Sequence, residues 1–260
     1  MHWYLGTMGF SYNDWSGPFY PSYVDARDYL AYYTQYFNAV EIDSTFYGTP
    51  RPEVVEHWAE SVPEGFKICA KLPKAITHEL ELIGVEGLTG EFLHTIRLLG
   101  DRLGVILIQF PPSFNIEKYE DLDRFLGGLP QDLRYAVEIR HRSWYSDVTE
   151  RLFRKHRVAW AITEYEELPI RLVATADFVY FRLIGVHGRF ARHDRMQIDV
   201  TKKLEWWQGH LEPLAHEVET TFGFFNNDYA GFSPATANQF KEIAGLPLKP
   251  LEPPQQPRLF

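Results

Sequence analysis

The chain has 260 residues, 45% of them hydrophobic, and a formal net charge of −9 at pH 7. Its apolar stretches are shorter than the ~20 residues that span a bilayer, and its acidic balance argues against a protein that coats duplex nucleic acid. Cys69 is the single cysteine, which excludes intramolecular disulfides and, with no visible secretory leader, predicts a cytoplasmic location.

Eight short apolar runs alternate with segments of helical periodicity, and most of the runs end in a charged or amide residue. The runs predict strands over Trp3–Thr7, Ala39–Asp43, Phe66–Lys71, Val105–Gln109, Tyr135–Arg140, Val158–Thr163, Phe178–Leu183 and Thr220–Asn226. The amphipathic segments predict helices over Asp25–Phe37, Pro52–Ser61, Gly87–Arg102, Lys118–Leu126, Thr149–His156, Thr201–His216 and Ser233–Ala244.

A βα unit repeated eight times in ~250 residues is typical of a TIM-type (β/α)8-like parallel barrel, an α/β fold with its site at the carboxyl ends of the strands. Between Thr163 and Asp177 there is room only for a short or irregular sixth helix. We expect residues 1–245 to form this single domain. Residues 246–260 contain five prolines, so we expect an extended tail that packs outside the barrel rather than a partner-binding motif.

Polar residues at every second strand position indicate which side chains enter the barrel, because the outward face of each strand meets helices and should be apolar. Ile42, Ile68, Val137 and Ile139 then face outward. The inward polar residues near the carboxyl ends of the strands are Glu41, Asp43, Lys71, Gln109, Glu138, Arg140, Arg182 and Asn226. This set is either a self-neutralising structural ion network or a pocket, and we favour the pocket because buried ion pairs add little net stability.

Several strings along the chain carry a family resemblance. They are Gly6-Thr7-Met8-Gly9-Phe10-Ser11-Tyr12-Asn13-Asp14-Trp15, Phe19-Tyr20-Pro21, Val40-Glu41-Ile42-Asp43-Ser44-Thr45-Phe46-Tyr47, Gln109-Phe110-Pro111-Pro112-Ser113-Phe114, Glu138-Ile139-Arg140-His141-Arg142-Ser143-Trp144 and Phe225-Asn226-Asn227-Asp228-Tyr229-Ala230-Gly231. With them the chain resembles the domain of unknown function 72 family, YecE-like. The resemblance implies a TIM-barrel-like fold and no established activity. Where many members resemble Arg-Leu-His-Gly after the seventh strand, this chain has Arg182-Leu183-Ile184-Gly185.

Basic residues in two loops favour an anion site. Arg140, His141 and Arg142 follow the fifth strand, and the loop after the seventh strand carries His187, Arg189, Arg192, His193 and Arg195. Arginine matches phosphate and carboxylate oxygens with a fork of donors, and the Asn226-Asn227 loop leads into a helix start that offers free backbone amides. The alternative is a solvated basic loop that pairs with Asp194 and Asp199.

Three other chemistries compete. Glu138 and Lys71 could transfer protons. Glu41 and Glu138 could form a glycosidase-like carboxylate pair. Against this pair, Gln109 and Arg182 occupy the positions where barrel glycosidases usually have their two acids. The side chains that could bind a metal ion are Glu41, Asp43, Glu138, His78 and His141. Their spacing matches no metal-binding motif, so no metal site is assigned. Aromatic residues after the strands could stack on a ligand, and for any one of them a lid or core role is the alternative: Trp15, Phe46, Tyr47, Phe114, Trp144 and Tyr229.

We therefore expect a barrel enzyme that acts on a small anionic substrate, phosphorylated and nucleotide-like molecules included, by acid/base chemistry. The catalytic candidates are Glu138, Lys71 and Glu41. The ligand-binding candidates are Arg140, Arg182, Gln109, Asn226, Asn227, His141, Trp144, Asp43 and Tyr47. The sequence identifies no cofactor and no protein partner. The alternative is a non-catalytic binding or regulatory module that uses the same pocket.

Overall fold

The structure is a computed structural model that describes residues 2–165 and 167–252. Its strands are β1 His2–Thr7, β2 Ala39–Ile42, β3 Lys67–Lys71, β4 Leu103–Gln109, β5 Tyr135–Glu138, β6 Ala159–Trp160, β7 Ile162–Thr163, β8 Phe178–Leu183 and β9 Thr220–Phe225. Its α-helices are α1 Tyr29–Tyr33, α2 Pro52–Ser61, α3 Glu86–Ile96, α4 Tyr119–Gly127, α5 Asp147–His156, α6 Thr201–His216, α7 Asn227–Ala230 and α8 Ser233–Ile243. Short 3₁₀ turns cover Asn13–Trp15, Ala26–Asp28, Ser44–Tyr47, Arg97–Arg102, Ile116–Lys118 and Arg142–Trp144, and a π-helical turn covers Ala75–Glu79.

The strands form two parallel sheets, which confirms the predicted α/β class. One sheet has the order β1-β9-β8-β7 and the other the order β2-β3-β4-β5-β6. All the strand pairs within the two sheets are parallel. The predicted sixth strand is interrupted at Ala161, so that its first half pairs in the larger sheet as β6 and its second half pairs in the smaller sheet as β7.

Side chains occupy the junction between β1 and β2. The Leu5 amide donates to Asn38 Oδ1 at 2.9 Å, and Asn38 Nδ2 donates to the Trp3 carbonyl at 2.8 Å. The Thr7 amide donates to the Tyr33 hydroxyl at 2.8 Å. These bonds satisfy backbone groups of β1 that a neighbouring strand would otherwise pair.

The two sheets also meet through their backbones at this junction. A Cβ on Gly6 would lie 1.8 Å from the Ala39 carbonyl oxygen, so only glycine permits the close approach of β1 to β2. Just beyond β1, Met8 forms an isolated parallel bridge with Glu41, and the Gly9 amide donates to the Glu41 carbonyl at 2.7 Å.

The apolar side chains form two clusters on opposite faces of the strands. The larger cluster contains Ile42, Ile68, Val137 and Ile139 together with the buried faces of the helices. The smaller cluster, called the inner cluster below, takes residues from both sheets and so lies between them: Met8, Ala39, Cys69, Val105, Leu107, Ala136, Ala159, Ala161, Phe178, Tyr180, Phe222 and Phe224. This arrangement agrees with the predicted alternation along the strands.

Two helices differ from the predicted ranges by more than two residues. The helix predicted over 25–37 is a 3₁₀ turn followed by the five-residue α1, because the chain after Tyr33 tightens into i→i+3 bonds from Gln35 and Tyr36. The helix predicted over 87–102 ends as α3 at Ile96 and continues as a 3₁₀ turn, in which Gly100 has a φ of 53°.

The irregular segments fall near the predicted places. Residues 164–177, apart from residue 166, which lies outside the described ranges, form neither helix nor strand. The same holds for residues 246–252 of the predicted tail, where Leu246 and Leu251 pack against the larger cluster, and 253–260 lie outside the described residues. No helix in the described part of the chain has the length and apolarity needed to cross a membrane.

Replacing Gly6 with alanine should destabilise the fold by ~2 kcal/mol or more, because the new methyl group would overlap the Ala39 carbonyl and the Tyr33 hydroxyl. Urea unfolding measures the loss. Gly90→Ala is the matched control, since Gly90 is exposed on α3 with open space around it and alanine there should stabilise by up to ~1 kcal/mol. Equal effects of the two substitutions would contradict the close approach of β1 and β2.

Candidate functional site

Arg182 lies at the centre of the polar residues between the two sheets. Its guanidinium donates to both carboxylate oxygens of Glu41, from Nη2 at 2.7 Å and from Nε at 2.9 Å, and its Nη1 donates to Glu138. Glu41 and Glu138 are completely buried, and Arg182 is 2% exposed. One arginine from the smaller sheet thus connects two glutamates of the larger sheet.

The carboxylate oxygens of the two glutamates also accept hydrogen bonds from other side chains. The Tyr180 hydroxyl donates to Glu41 at 2.6 Å, and the Tyr165 hydroxyl donates to Glu138 at 2.7 Å. Arg140 Nε donates to the same Glu138 oxygen at 2.8 Å. Two carboxylates and two guanidinium groups therefore balance in charge, which is how buried ions avoid a large desolvation cost. We call Glu41, Glu138, Arg140 and Arg182 the charge cluster.

The charge cluster holds Glu138 in its ionised form. Burial by itself would raise the pKa of this carboxyl, but the positive charges of Arg182 and Arg140 and the bond from Tyr165 outweigh burial. The pKa of Glu138 therefore lies well below its usual range. For Arg182, burial opposes the charged form and Glu138 and Glu41 outweigh it, so its pKa is raised further. At neutral pH Glu138 is consequently a weak base.

Strand register explains why these residues meet. Glu41 aligns with Cys69, Gln109 aligns with Glu138, and Arg182 aligns with Thr163 and with Phe224. The alternate positions carry the apolar residues of the larger cluster, so the polar members of each strand point toward the inner cluster. The charge cluster lies at the carboxyl ends of the strands, next to that apolar layer.

Arg140 forms the part of the cluster that reaches solvent, with 27% of its side chain exposed. Its guanidinium lies 5.1 Å from the centre of the Tyr165 ring. Gln109 is 6% exposed and, with its amide oxygen turned toward Arg140, accepts from Nη1 at 3.0 Å. Together with Glu138, these contacts fix the plane of the guanidinium.

Lys71 and Asp43 make a second ion pair at the end of β2 and β3. Lys71 Nζ lies 2.5 Å from Asp43 Oδ1 and 5.7 Å from the centre of the Phe46 ring. The Lys71 and Asp43 side chains are 11% and 33% exposed. Thr45 anchors the β3 end of this pair, because its hydroxyl donates to the Lys71 carbonyl at 2.8 Å.

His78 has surroundings that the sequence does not predict. It lies in the π-helical turn after β3, with Nδ1 2.8 Å from the Thr77 hydroxyl and its ring edge-on to Phe46 at 5.0 Å. Burial lowers the pKa of His78, and the positive charges of Arg140 and Lys71 add to this effect, opposed by Glu138. His78 is therefore neutral at pH 7. From the sequence, His78 is a candidate metal ligand only, and no ligand spacing supports a metal site.

The two asparagines after β9 have different surroundings. Asn226 Oδ1 accepts from the Asp228 amide at 2.9 Å, and Asn226 Nδ2 faces Met8 Sδ at 3.6 Å, the same sulfur that Arg182 contacts. Asn227 is 2% exposed, and its Oδ1 accepts from the Ser233 amide and hydroxyl at 3.0 and 2.8 Å. Asn226 thus borders the charge cluster, whereas Asn227 fastens the loop to the start of α8.

Three further candidates lie away from the charge cluster. Trp144 is completely buried and donates from its indole nitrogen to the Phe114 carbonyl at 2.8 Å, so its ring supports the loop and is closed to a ligand. His141 Nδ1 lies 2.7 Å from the Ser143 hydroxyl and caps the following 3₁₀ turn. Tyr47 is 77% exposed and stands edge-on to Phe46.

The described residues contain no group of three or more histidine, cysteine, aspartate or glutamate side chains arranged to hold a metal ion. Cys69 is a free thiol in the inner cluster, where burial raises its pKa. The polar groups that meet at this end of the strands are therefore ion pairs and hydrogen-bond donors.

Comparison with protein families gives one match over nearly the whole chain. A family model described as "Protein of unknown function DUF72" matches residues 4–259. The UPF0759 protein YecE of Escherichia coli (strain K12) is 28% identical over 204 residues, which cover 69% of this chain and 75% of that protein. The UPF0759 protein YunF of Bacillus subtilis (strain 168) is 26% identical over 283 residues, which cover 97% of this chain and 98% of that protein.

Solved structures resemble the chain at the level of the fold. A DUF72 family protein from Thermotoga maritima MSB8 superposes with a TM-score of 0.76 at 29% identity and covers 94% of this chain and 100% of its own. A DUF72 family protein from Enterococcus faecalis V583 gives a TM-score of 0.78 at 21% identity, covering 98% of this chain and 100% of its own. The second likeness is one of fold alone.

Arg182→Met should lower the free energy of unfolding by ~3–5 kcal/mol, because it leaves the charges of Glu41 and Glu138 buried without their shared partner. Denaturant unfolding at pH 7 measures this loss. Arg171→Met is the control, since Arg171 pairs with Asp147 and Glu150 at a half-exposed site and should cost no more than ~1 kcal/mol. A loss below ~1 kcal/mol for Arg182→Met would show that the two glutamates do not depend on it.

Proposed function

This chain belongs to the DUF72 family, and we propose that it is a barrel enzyme that acts on a small anionic substrate at the carboxyl ends of its strands. This class of substrate includes phosphorylated and nucleotide-like molecules. The observation that carries the proposal is the fixed, partly exposed guanidinium of Arg140 above a layer of buried carboxylates.

The proposal includes closure of the two sheets into one eight-stranded barrel within a single domain over residues 1–245. The Met8–Glu41 bridge and the bond from the Gly9 amide to Glu41 support closure on one side. On the other side, β6 and β7 are separated by Ala161 alone. The active face of such a barrel is the carboxyl end of its strands, where the charge cluster lies. A cytoplasmic setting, with Cys69 kept as a buried thiol, is part of the same proposal.

The layering of charge favours an anion over a cation as the ligand. Glu41 and Glu138 are completely buried, whereas Arg140 retains 27% of its side-chain exposure. An incoming molecule therefore meets the guanidinium before it meets a glutamate. Because Glu138, Gln109 and Tyr165 already hold the guanidinium, little side-chain entropy is lost when a phosphate or carboxylate binds.

Proton transfer is assigned to His78 and Lys71 in this proposal. Glu41 and Glu138 are buried and saturated with donors, so they act by positioning Arg182 and Arg140. His78 has a lowered pKa and carries a free electron pair at pH 7, which is the state required of a general base. Lys71 supplies the matching positive charge beside it.

Arg140→Gln should reduce the stabilisation that a bound anion gives to the folded state. In the parent, a ligand present at ten times its dissociation constant raises the free energy of unfolding by ~1.4 kcal/mol. Thermal unfolding with inorganic phosphate, sulfate and nucleoside monophosphates measures the effect. Arg171→Gln is the matched control, because that arginine is 35% exposed and also held by carboxylates. Equal ligand-induced shifts in the two variants would contradict the assignment of Arg140.

Catalysis is tested with the ligand that gives the largest shift. Incubation of that ligand with the parent should yield a product detectable by phosphorus or proton NMR, and His78→Gln should abolish conversion while retaining the shift. Binding without any conversion by the parent would make the site that of a non-catalytic module and would contradict the enzymatic part of the proposal.

A further inference from the structure

A second concave surface lies at the opposite end of the larger sheet. It is a groove of about 1130 Å³ across the amino ends of the strands. Lys67 at the start of β3, Gly104 near the start of β4 and Tyr135 at the start of β5 contribute to its lining. The groove is therefore separated from the charge cluster by the length of the strands.

Three cations line this groove without a hydrogen bond to a carboxylate among the described residues. Lys67 Nζ donates to the Asp101 carbonyl at 2.5 Å. Arg134 lies 3.9 Å from Asp177 and 5.7 Å from the centre of the Phe178 ring. Arg157 has no hydrogen bond or ion pair from its side chain within residues 2–165 and 167–252. By contrast, Arg97 in the same lining is neutralised by two bonds to Asp132.

Arg157 also has an unfavourable backbone conformation. It follows the last residue of α5 with a φ of 55° and a ψ of 37°, in the left-handed region that glycine usually occupies at a helix end. A non-glycine residue is strained in this region. The side chain retained at this cost is exposed and lines the groove.

The Tyr135 hydroxyl is an independent sign of a ligand. Tyr135 is 3% exposed, lines the groove, and its hydroxyl has no hydrogen-bond partner in the described structure. An unsatisfied buried hydroxyl destabilises the fold unless something binds to it. A ligand oxygen in the groove would supply the missing partner.

One part of the remaining lining is apolar, and the rest includes the polar residues Asp101, Gln131, His156 and Thr175. Leu126, Leu129, Pro130, Leu133 and Val158 contribute to its lining. Its volume is above the upper end of the range of ~300–1,000 Å³ that is typical of small-molecule sites. The three positive charges of Lys67, Arg134 and Arg157, less the two negative charges of Asp101 and Asp177, leave a net positive charge of one, the sign that attracts a phosphate group.

We propose that this groove binds a phosphorylated small organic molecule. Arg134, Arg157 and Lys67 bind the phosphate, the Tyr135 hydroxyl donates to or accepts from a ligand oxygen, and the apolar wall contacts the organic part. The site stands on residues separate from Arg140 and His78, so it does not depend on the function proposed above.

Isothermal titration of the full chain with inorganic pyrophosphate tests the groove in an Arg140→Gln background, where the opposite site is disabled. The groove variant is Arg134→Gln with Arg157→Gly. Glycine suits the backbone at 157, so this change removes a cation without straining α5. Tyr135→Phe is a second variant that removes the hydroxyl alone. We expect pyrophosphate affinity to fall at least tenfold in the groove variant and several-fold in Tyr135→Phe.

The control is Arg154→Gln, which removes an arginine of the lining that is held by Glu150, and it should leave the affinity within twofold of the Arg140→Gln background. Unchanged affinity in the groove variant, or no pyrophosphate binding in the Arg140→Gln background, would overturn the inference. Loss of binding in the groove variant together with no effect of Arg140→Gln on the parent would support the groove and contradict the function proposed for the other end.

Discussion

The contact of Arg182 with Glu41 and Glu138 is the interaction on which the rest of the site depends. It joins the two sheets with charged groups in a place where apolar residues would pack at lower cost. The guanidinium satisfies both oxygens of Glu41 and still reaches Glu138, so neither glutamate is left unpaired. The contact therefore fixes the separation of β2, β5 and β8 at their carboxyl ends.

Arg140 is positioned as a consequence. Glu138 is shared between Arg182 below and Arg140 above, so the buried pair sets where the exposed guanidinium stands. Beneath this layer the inner cluster excludes water and strengthens the electrostatic contacts. The open end of the strands is thus a rigid charged surface, and the groove at the amino ends is a separate one. There Lys67, Arg134 and Arg157 make no hydrogen bond to a carboxylate among the described residues.

Alternation along the strands was enough to predict the face of each residue, because Ile42, Ile68, Val137 and Ile139 all pack on the helix side. It could not predict depth, since Glu138 and Arg140 share a face and only one of them reaches solvent.

The junction of β1 and β2 was also beyond the sequence, because its bonds come from the Asn38 and Tyr33 side chains, more than twenty residues from most of the groups they bind. Trp144 and Asn227 follow strands, where the sequence favours a ligand-binding role. Both are instead buried, and they are hydrogen-bonded to the Phe114 carbonyl and the Ser233 hydroxyl, respectively.

The most direct measurement compares the parent with a neutral version of the buried cluster, Glu41→Gln, Glu138→Gln and Arg182→Met combined. Because Arg140, the one charged member of the cluster that remains, is partly exposed, the free energy of unfolding of this variant in urea should lie within ~2 kcal/mol of the parent. With Arg140 retained but no longer held by a carboxylate, the part of the stabilisation by inorganic phosphate that depends on Arg140 should be lost. A neutral variant that phosphate stabilises as strongly as the parent would contradict the conclusion that the buried charges position Arg140.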